Sequence, residues 1–246
     1  SVALLAECIT TRANIAVMLQ RPQSSSAGTV PEWVSPSLKP HQITLNLCGL
    51  AANVDGESAF FAAIEQLVDL ALEAHDCKRL LLERLLEKGI RGPLGPFTFP
   101  YDGSALLNLE QAEWVVGATG LNECVSLLCG AELHASDDAL ALGVRILAAI
   151  REHLDRAGTE RGMKYVLVPT DDDDVAQRFA LLDLKHRPDR ARTVFKVAAD
   201  GVTPTYTPGF RLGNHAPVNI LERLRAEGSL HELASGDALA EVVLPD

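Results

Sequence analysis

The pattern of hydrophobic and polar residues predicts alternating strands and helices along this chain. Apolar runs with strand character occupy residues 41–48, 114–116 and 163–169, because alternating, β-branched and aromatic side chains suit a buried pleated surface. The longest segment with helical spacing covers residues 57–88, where an apolar stripe runs between charged positions. The predicted order is β, α, β, α, α, β, α, a hairpin, α and β, which indicates a layered or barrel α/β architecture without internal repeat.

Turn and cap residues define the remaining predicted elements. Glycines at both ends of residues 117–120 predict a turn, because glycine adopts backbone angles that other residues avoid. Asn122 is the predicted cap of the following helix, Gly130 its predicted end, and Ser136 the cap of the next helix. The predicted helices not yet described cover residues 2–19, 122–129, 136–157, 170–184 and 217–228, with a hairpin at 194–207 and a strand at 238–244. One face of the first helix is predicted to carry Leu4, Cys8, Ile15, Met18 and Leu19.

Composition excludes several classes of protein. A hydrophobic content of 47% and a mean hydropathy of +0.09 are typical of a globular chain. The net charge of −11 argues against unspecific nucleic-acid binding, which needs clustered Lys and Arg. Charges interrupt every apolar stretch before a membrane span is complete, and we expect no signal peptide. The chain begins at Ser1 inside an apolar pattern, so we expect it to be a piece of a longer protein.

The cysteines and aspartates predict no metal site. The cysteines include no Cys-x-x-Cys pair and no matching histidine spacing, so we expect no structural zinc. An odd number of scattered cysteines favours a reducing cytoplasm over a disulfide framework. The four aspartates at residues 171–174 are interpreted as a solvated acidic helix start. The five cysteines are Cys8, Cys48, Cys77, Cys124 and Cys129.

Two places have candidate chemistry. The unit around residues 117–123 predicts a strand, a glycine turn, the polar pair Asn122 and Glu123, and a helix. Ligands of α/β proteins bind at such strand ends, although the pattern alone favours an ordinary strand-to-helix connection. Asn46 is disfavoured inside a strand, so it either faces water or a polar cavity, or it has a functional role.

Several of these stretches together resemble the anaerobic (class III, glycyl-radical) ribonucleoside-triphosphate reductases. The resemblance runs from residue 43 to about residue 244, and the order and spacing of the motifs make it specific. The motifs are Ile-Thr-Leu-Asn-Leu at 43–47, the helix from 60 to 86, Gly-x-x-Gly-Leu-Asn-Glu at 117–123, Arg-Phe-Ala-x-Leu-Asp at 178–183, Tyr-Thr at 206–207, and Ala-Pro-x-x-x-Leu-Glu-Arg-x-x-x-Glu-Gly at 216–228 with His231 just after.

The resemblance implies a fold and a chemistry. The family fold is a ten-stranded α/β barrel of two half-barrels, and a finger loop carries the cysteine that becomes a thiyl radical. This chain would be a single α/β domain, with residues 1–40 as a finger-loop-like segment and Pro/Ser-rich loop, and residues 41–246 as the second half-barrel. Cys8 lies where the radical cysteine is expected, and Asn46 is the second candidate catalytic residue. A thiol hydrogen is weakly held, so a sulfur radical can take the ribose 3′ hydrogen and return it.

The resemblance also implies substrate-binding residues. Asn122 and Glu123, with the amide groups at their helix start, would orient the ribose or phosphates of a nucleotide. Thr170 and Arg178 fall in a segment that is similar to the family's loop and helix near the substrate. The alternatives stay open: Cys8 also fits a small buried residue, and Arg178 fits a salt bridge at the edge of the core. We interpret the other cysteines as packing residues.

The resemblance further implies partners. The glycyl radical lies on a segment that these residues lack, and an iron–sulfur activase that uses S-adenosylmethionine installs it; no cofactor is expected within this chain. The substrates would be a ribonucleoside triphosphate and formate, the usual reductant. The rest of the enzyme, including the other half-barrel and the zinc-binding cysteines, would lie on a companion chain or on another part of the protein. We expect neither nucleic acid nor a membrane as a partner.

The hypothesis is therefore a half-barrel of a ribonucleotide reductase, active only when completed. The alternative is a degenerate, non-catalytic relative that acts as a nucleotide-binding or structural module. Pro208-Gly209 stands where the family has Asn-Ser, which favours the alternative. A third hypothesis, a lyase of the pyruvate formate-lyase type, agrees less well with the motifs at 117–123 and 216–228.

Overall fold

Strands and helices alternate in the structure as predicted. A computed structural model describes residues 17–19, 38–98, 100–101, 104–105, 107–235 and 238–240. The strands are β1 (Val17–Leu19), β2 (Gln42–Asn46), β3 (Pro100–Tyr101), β4 (Ser104–Ala105), β5 (Glu113–Thr119), β6 (Lys164–Pro169), β7 (Lys196–Val197), β8 (Pro204–Thr205) and β9 (Ala238–Ala240). The helices are α1 (Leu47–Ala52), α2 (Glu57–Leu86), α3 (Leu121–Cys129), α4 (Asp137–Arg161), α5 (Asp173–His186), α6 (Pro188–Ala191) and α7 (Ile220–His231), with 3-10 turns at Gly89–Arg91, Gly95–Thr98 and Leu109–Gln111.

A parallel three-stranded sheet lies at the centre. Its order is β2-β5-β6, and Ile43 pairs with Val116, which in turn pairs with Leu167. β5 is the middle strand, and its residues from Trp114 to Thr119 are all buried. Parallel strands covered by helices need such continuous apolar runs, which explains the short apolar signal at residues 114–116.

The main core lies between this sheet and helices α2 and α4. Leu45 and Val116 point from the sheet into this core. The apolar stripe of α2 was predicted from helical spacing, and its central residues are fully buried. Burial of such residues is the main stabilising term for a domain of this size. The largest fully buried residues that α2 and α4 contribute to this core are Phe60, Ile64, Leu72, Ile146, Leu147 and Ile150.

The predicted turn at residues 117–120 is wrong. Gly117 and Ala118 remain in β5 and pair with Val168 and Pro169 of β6. Only Gly120 leaves the strand, with φ of 74°, and it takes the cap position that was predicted for Asn122. Pairing with the neighbouring strand therefore extends β5 past a glycine that local sequence marks as a turn.

The first predicted strand and the first predicted helix also change. β2 ends at Asn46, whose side-chain oxygen accepts the Gly49 N–H at 2.9 Å and starts α1, so Leu47 and Cys48 are helical rather than extended. The predicted helix at 2–19 is wrong at Val17–Leu19, which form a strand paired antiparallel with Ala238–Ala240. Leu4, Cys8 and Ile15 lie outside the described residues.

Several predicted helix ends are confirmed and others shift. Ser136 caps α4 through the Ala139 N–H at 3.1 Å, and Gly130 ends α3 with φ of 78°. α5 begins at Asp173 rather than Thr170, since Asp172 caps it. α7 begins at Ile220, later than predicted, because Asn219 and Glu222 form a capping box there. The helix continues past Gly228, its predicted end, to His231. The hairpin of β7 and β8 is confirmed.

The acidic run before α5 has two environments. Asp172 is the cap, and Asp173 and Asp174 are exposed in the first turn, as the interpretation of a solvated helix start requires. Asp171 instead pairs with the buried Arg211 at 3.1 Å. Across the described ranges, no helix is both long and apolar enough to cross a bilayer.

His75 gives the fold a predicted sensitivity to acid. Its ring is fully buried against Trp114, and its Nδ1 lies 3.1 Å from Nδ1 of His41. Burial, followed by the nearby His41, lowers the pKa of His75 to about 4. Because the unfolded imidazole has a pKa near 6.5, it takes up a proton that the folded ring resists. The contribution of the neutral, buried His75 to stability should therefore be fully present above pH 6.5 and decrease as the pH falls toward 4.

Urea unfolding across this pH range measures the effect. His75→Gln should reduce the pH dependence of the free energy of unfolding. The control His215→Gln, at an exposed position, should leave that pH dependence as it is in the parent chain. A His75→Gln variant with the parent slope would contradict the assignment.

Candidate functional site

The candidate site lies where the three parallel strands end. Asn46, Thr119 and Thr170 are at or just after the carboxyl ends of β2, β5 and β6. Residues 206–213 pass over this edge and are buried along their whole length. Gly120 donates its N–H to the Thr207 carbonyl at 3.1 Å. The edge of the sheet is therefore built together with a segment that is distant in sequence.

Glu123 holds the beginning of segment 206–213. Its side chain accepts the Thr207 N–H at 3.0 Å and the Thr207 hydroxyl at 2.7 Å. Only 1% of Glu123 is exposed, and burial raises the pKa of its carboxyl against the effect of these hydrogen bonds. Its carboxyl is thus occupied by the protein itself.

Asn122 connects the start of α3 to the turn before α4. Its Oδ1 accepts the Leu133 N–H at 3.1 Å, and its Nδ2 donates to Glu132 Oε2 at 3.2 Å. Glu132 also pairs with Lys196. Burial raises the pKa of Glu132, but the hydrogen bonds from Lys196 and Asn122 outweigh burial and lower the pKa overall.

Helix α7 holds the other end of segment 206–213. Glu227 Oε1 accepts the Leu212 N–H at 3.0 Å, and Arg223 donates to the Gly213 carbonyl at 2.8 Å. Arg223 and Glu227 also pair with each other at 3.0 Å. Burial raises the pKa of the Glu227 carboxyl. Buried carboxylates therefore secure the segment at both ends.

A second polar cluster surrounds Asn46. Asp183 Oδ2 accepts hydrogen bonds from Asn46 Nδ2 and from the Tyr206 hydroxyl, both at 2.9 Å. Burial raises the pKa of the Asp183 carboxyl. The neighbouring Cys48 is fully buried, and burial raises the pKa of its thiol. A thiol in this environment stays protonated and behaves as a packing residue.

A cavity of about 430 Å³ opens beside Asn46. β2, α1, α2 and α5 form its walls, which are mostly apolar. Apolar cavities with a few convergent polar groups are the usual form of small-molecule sites. The polar side chains of the lining are Thr44, Asn46, Asn53 and Asp183.

A group of hydroxyls lies on the opposite face of the sheet from the main core. Thr170 Oγ1 is 3.1 Å from Thr44 Oγ1 and 3.4 Å from Gln42 Nε2. The group sits directly over Gly117, where an added Cβ would lie 2.1 Å from Thr170 Oγ1. Glycine at 117 is thus required for this close approach.

The predicted site residues lie in different environments in the structure. Asn46 lines the cavity. Thr170 belongs to the cluster of hydrogen-bonded hydroxyls over Gly117. Asn122 and Glu123 are buried, and their side chains contact other groups of the protein. Arg178 is exposed on α5, on the side away from the buried residues of that helix. Cys8 lies outside the described residues.

The residues that sequence reasoning missed are Asp183, Tyr206, Thr207, Arg223 and Glu227. All five belong to the motifs at 178–183, 206–207 and 216–228, so the signal was present without an indication of role. The interpretation of all remaining cysteines as packing residues is wrong for Cys77 and Cys129, which are exposed. Within the described part of the chain, no group of three or more His, Cys, Asp or Glu is arranged to hold a metal ion.

Comparison with known proteins gives concordant results. A family model described as anaerobic ribonucleoside-triphosphate reductase matches residues 16–246. The anaerobic ribonucleoside-triphosphate reductase of Salmonella typhimurium is 26% identical over 210 residues, covering 79% of this chain and 27% of the relative. The enzyme of the same description from Escherichia coli is 24% identical over 210 residues, with the same coverage. The chain thus spans about a quarter of the length of these curated relatives.

Solved structures show the same fold. The anaerobic ribonucleotide reductase of Thermotoga maritima in complex with dATP and CTP matches with a TM-score of 0.65 and 17% identity, over 81% of this chain and 31% of that chain. The same enzyme with glycerol in the active site matches with a TM-score of 0.66 and 18% identity, over 82% of this chain and 31% of that chain.

Proposed function

Because the chain belongs to the anaerobic ribonucleoside-triphosphate reductase family, we propose that it forms part of the catalytic domain of such an enzyme. Completed by a glycyl-radical segment, that enzyme would reduce ribonucleoside triphosphates to deoxyribonucleotides by thiyl-radical chemistry. The observation that carries the proposal is Asn46, which stands at the end of β2 and lines a cavity of about 430 Å³.

The sheet would be part of a half-barrel within a ten-stranded barrel. β2 and β6 are the outer strands of the parallel sheet, so each has one side on which a further strand can pair. On the β6 side, the Ser235 N–H already donates to the Leu167 carbonyl at 2.7 Å. Residues 41–246 would then form the half-barrel, and residues 1–40 the finger-loop-like segment with Cys8.

The side chains of this chain would bind and orient the substrate. Asn46 would contact a ribose hydroxyl from the cavity wall, and Thr170 and the exposed Arg178 would contribute polar and cationic contacts. Asn122 and Glu123 would serve the nucleotide indirectly, since their side chains hold the Leu133 and Thr207 backbone. Their role would be to keep segment 206–213 and the start of α3 in place around the ligand.

The chemistry would depend on partners. The glycyl radical would come from a segment beyond these 246 residues, installed by an iron–sulfur activase that uses S-adenosylmethionine, and formate would be the reductant. The remaining half of the enzyme would lie on the same polypeptide or on a companion chain. A cytoplasmic location fits the four cysteines in the described residues, which are all unpaired.

Calorimetric titration of the chain with CTP tests the proposal, since a relative is described in complex with dATP and CTP. We expect saturable binding that Asn46→Ala weakens about tenfold, the effect of one lost hydrogen bond to a desolvated ligand. Asn214→Ala, at an exposed turn position, is the matched control and should bind as the parent does. A folded chain without a binding isotherm would refute a nucleotide site within these residues.

A non-catalytic module is the second candidate. At positions 208–209 the family has Asn-Ser, whereas Pro208 has no N–H and the Gly209 N–H is already donated to the Thr170 carbonyl at 3.0 Å. This part of the segment therefore offers a ligand neither of the polar side chains that the family has there. CTP binding together with activity on addition of a companion chain that carries a glycyl radical would favour the enzyme, and CTP binding without such activity would favour the module.

A further inference from the structure

The side-chain amide of Asn46 is held from both ends. Its Oδ1 accepts the Gly49 N–H at 2.9 Å, and its Nδ2 donates to Asp183 Oδ2 at 2.9 Å. A backbone N–H can only donate and a carboxylate oxygen accepts, so the two partners determine which end of the amide is oxygen and which is nitrogen. One proton of the Nδ2 group remains for a molecule in the cavity.

The side chains of Asn46 and Asp183 occupy the space that a Cβ at position 49 would need. An added Cβ at Gly49 would lie 2.4 Å from Asn46 Nδ2 and 2.8 Å from Asp183 Oδ1. Contacts this short would force both side chains to shift, so glycine at 49 leaves the room in which Asn46 and Asp183 meet. Gly49 thus contributes twice, through the N–H that binds Asn46 Oδ1 and through the missing Cβ that leaves room for the pair.

Asp183 is itself held in place by packing. It follows Ala176 and Ala180 on α5, and these two residues are fully buried in a small cluster with Cys48 and Tyr206. The Tyr206 hydroxyl donates to the same Oδ2 that receives Asn46. The carboxyl therefore joins the end of β2 to the beginning of segment 206–213, at the wall of the cavity.

We propose that Asp183 is the positioning residue that orients the Asn46 amide toward a hydroxyl-bearing ligand in the cavity. This role rests on the proposed function of Asn46. Without Asp183, the amide keeps only its hydrogen bond from the Gly49 N–H, and Nδ2 loses the acceptor that fixes its direction, so the amide turns more freely about its terminal bond. The completed enzyme would then lose substrate affinity and turnover together, because misorientation within a bound complex also slows the reaction itself.

Side-chain amide NMR of the 246-residue chain tests the positioning without any nucleotide. The two Asn46 protons are assigned by their loss in Asn46→Ala. In the parent chain, we expect the bonded proton to exchange with water about tenfold more slowly than those of the exposed Asn214. In Asp183→Ala the signals should shift and the protection should vanish. Asp174→Ala, an exposed carboxylate on the same helix, should leave both unchanged.

Each outcome decides the proposal. Asn46 protons that exchange like those of Asn214 in the parent chain, or that are unmoved in a folded Asp183→Ala variant, would overturn it. If Asp183→Ala does not fold, Asp183→Asn replaces it, since one amide oxygen can still accept both donors. Retained protection with shifted signals would then support the role, and unshifted signals would overturn it.

Titration with CTP separates this inference from the proposed function. Asp183→Ala should weaken CTP binding as Asn46→Ala does, and equal binding by the variant and the parent would sink the orienting role while leaving the site in place. If the parent chain itself does not bind CTP, the proposed function fails, and the NMR measurement still reports whether Asp183 holds Asn46.

Discussion

Gly117→Ala is expected to destabilise the chain by about 2–3 kcal/mol, the upper part of the range for overpacking a well-filled interior. An added Cβ would lie 2.1 Å from Thr170 Oγ1, 3.1 Å from Gln42 Nε2 and 3.2 Å from Thr44 Oγ1. Gly117 lies in the middle strand, which pairs on both sides, so its backbone cannot move away. The clash must instead break the hydrogen bonds that join Thr170 to Thr44 and Gln42, or push β6 aside. Chemical denaturation measures the free energy of unfolding.

Two further variants make the Gly117 experiment specific. Gly228→Ala is the matched control, because that glycine lies inside α7 with nothing within 4 Å of an added Cβ. It should stabilise the chain by up to about 1 kcal/mol through helix propensity. Adding Thr170→Ala to Gly117→Ala should recover part of the loss, since it removes the atom in closest contact. Strictly additive effects of the two substitutions would contradict a direct clash.

Glu123→Ala should cost about 2–3 kcal/mol, because it leaves the Thr207 N–H buried without its acceptor. Only 1% of Glu123 is exposed, so its carboxyl lies away from bulk water. Burial raises the pKa of the Glu123 carboxyl because it disfavours the charged form. Removal of that charge limits the loss. Urea unfolding and amide exchange at Thr207 measure the global and local effects.

The substitution Glu123→Gln separates charge from hydrogen bonding. Its oxygen can accept the Thr207 N–H while its nitrogen donates to the Thr207 hydroxyl, so the loss should stay at about 1 kcal/mol or less. Glu65→Ala, at an exposed position on α2, controls for the loss of a carboxylate. Equal losses in the Ala and Gln variants would show that Glu123 does not hold segment 206–213 through hydrogen bonds.

Local sequence was sufficient where an element depends on its own residues. The apolar stripe of α2, the Ser136 cap of α4, the Gly130 end of α3 and the hairpin of β7 and β8 agree with prediction. Each depends on spacing or on contacts within a few residues. The resemblance to the reductase family also followed from sequence, because it rests on the order of short motifs.

Strand pairing and the site depended on distant residues. β5 continues through Gly117 because β2 and β6 lie on its two sides, and Val17–Leu19 are extended because they pair with Ala238–Ala240. No local propensity encodes such partners.

The motifs identified which stretches matter, but not what their residues do. Asn46 and Asp183 are 137 positions apart, and Glu123 and Thr207 are 84 apart. Their hydrogen bonds exist only after the sheet and the helices have packed. Sequence alone determined the alternation of strands and helices and the family. Tertiary structure decided that Asn122 and Glu123 are buried supports and that Asp183 meets Asn46, because burial and hydrogen-bond partners are properties of the packed chain.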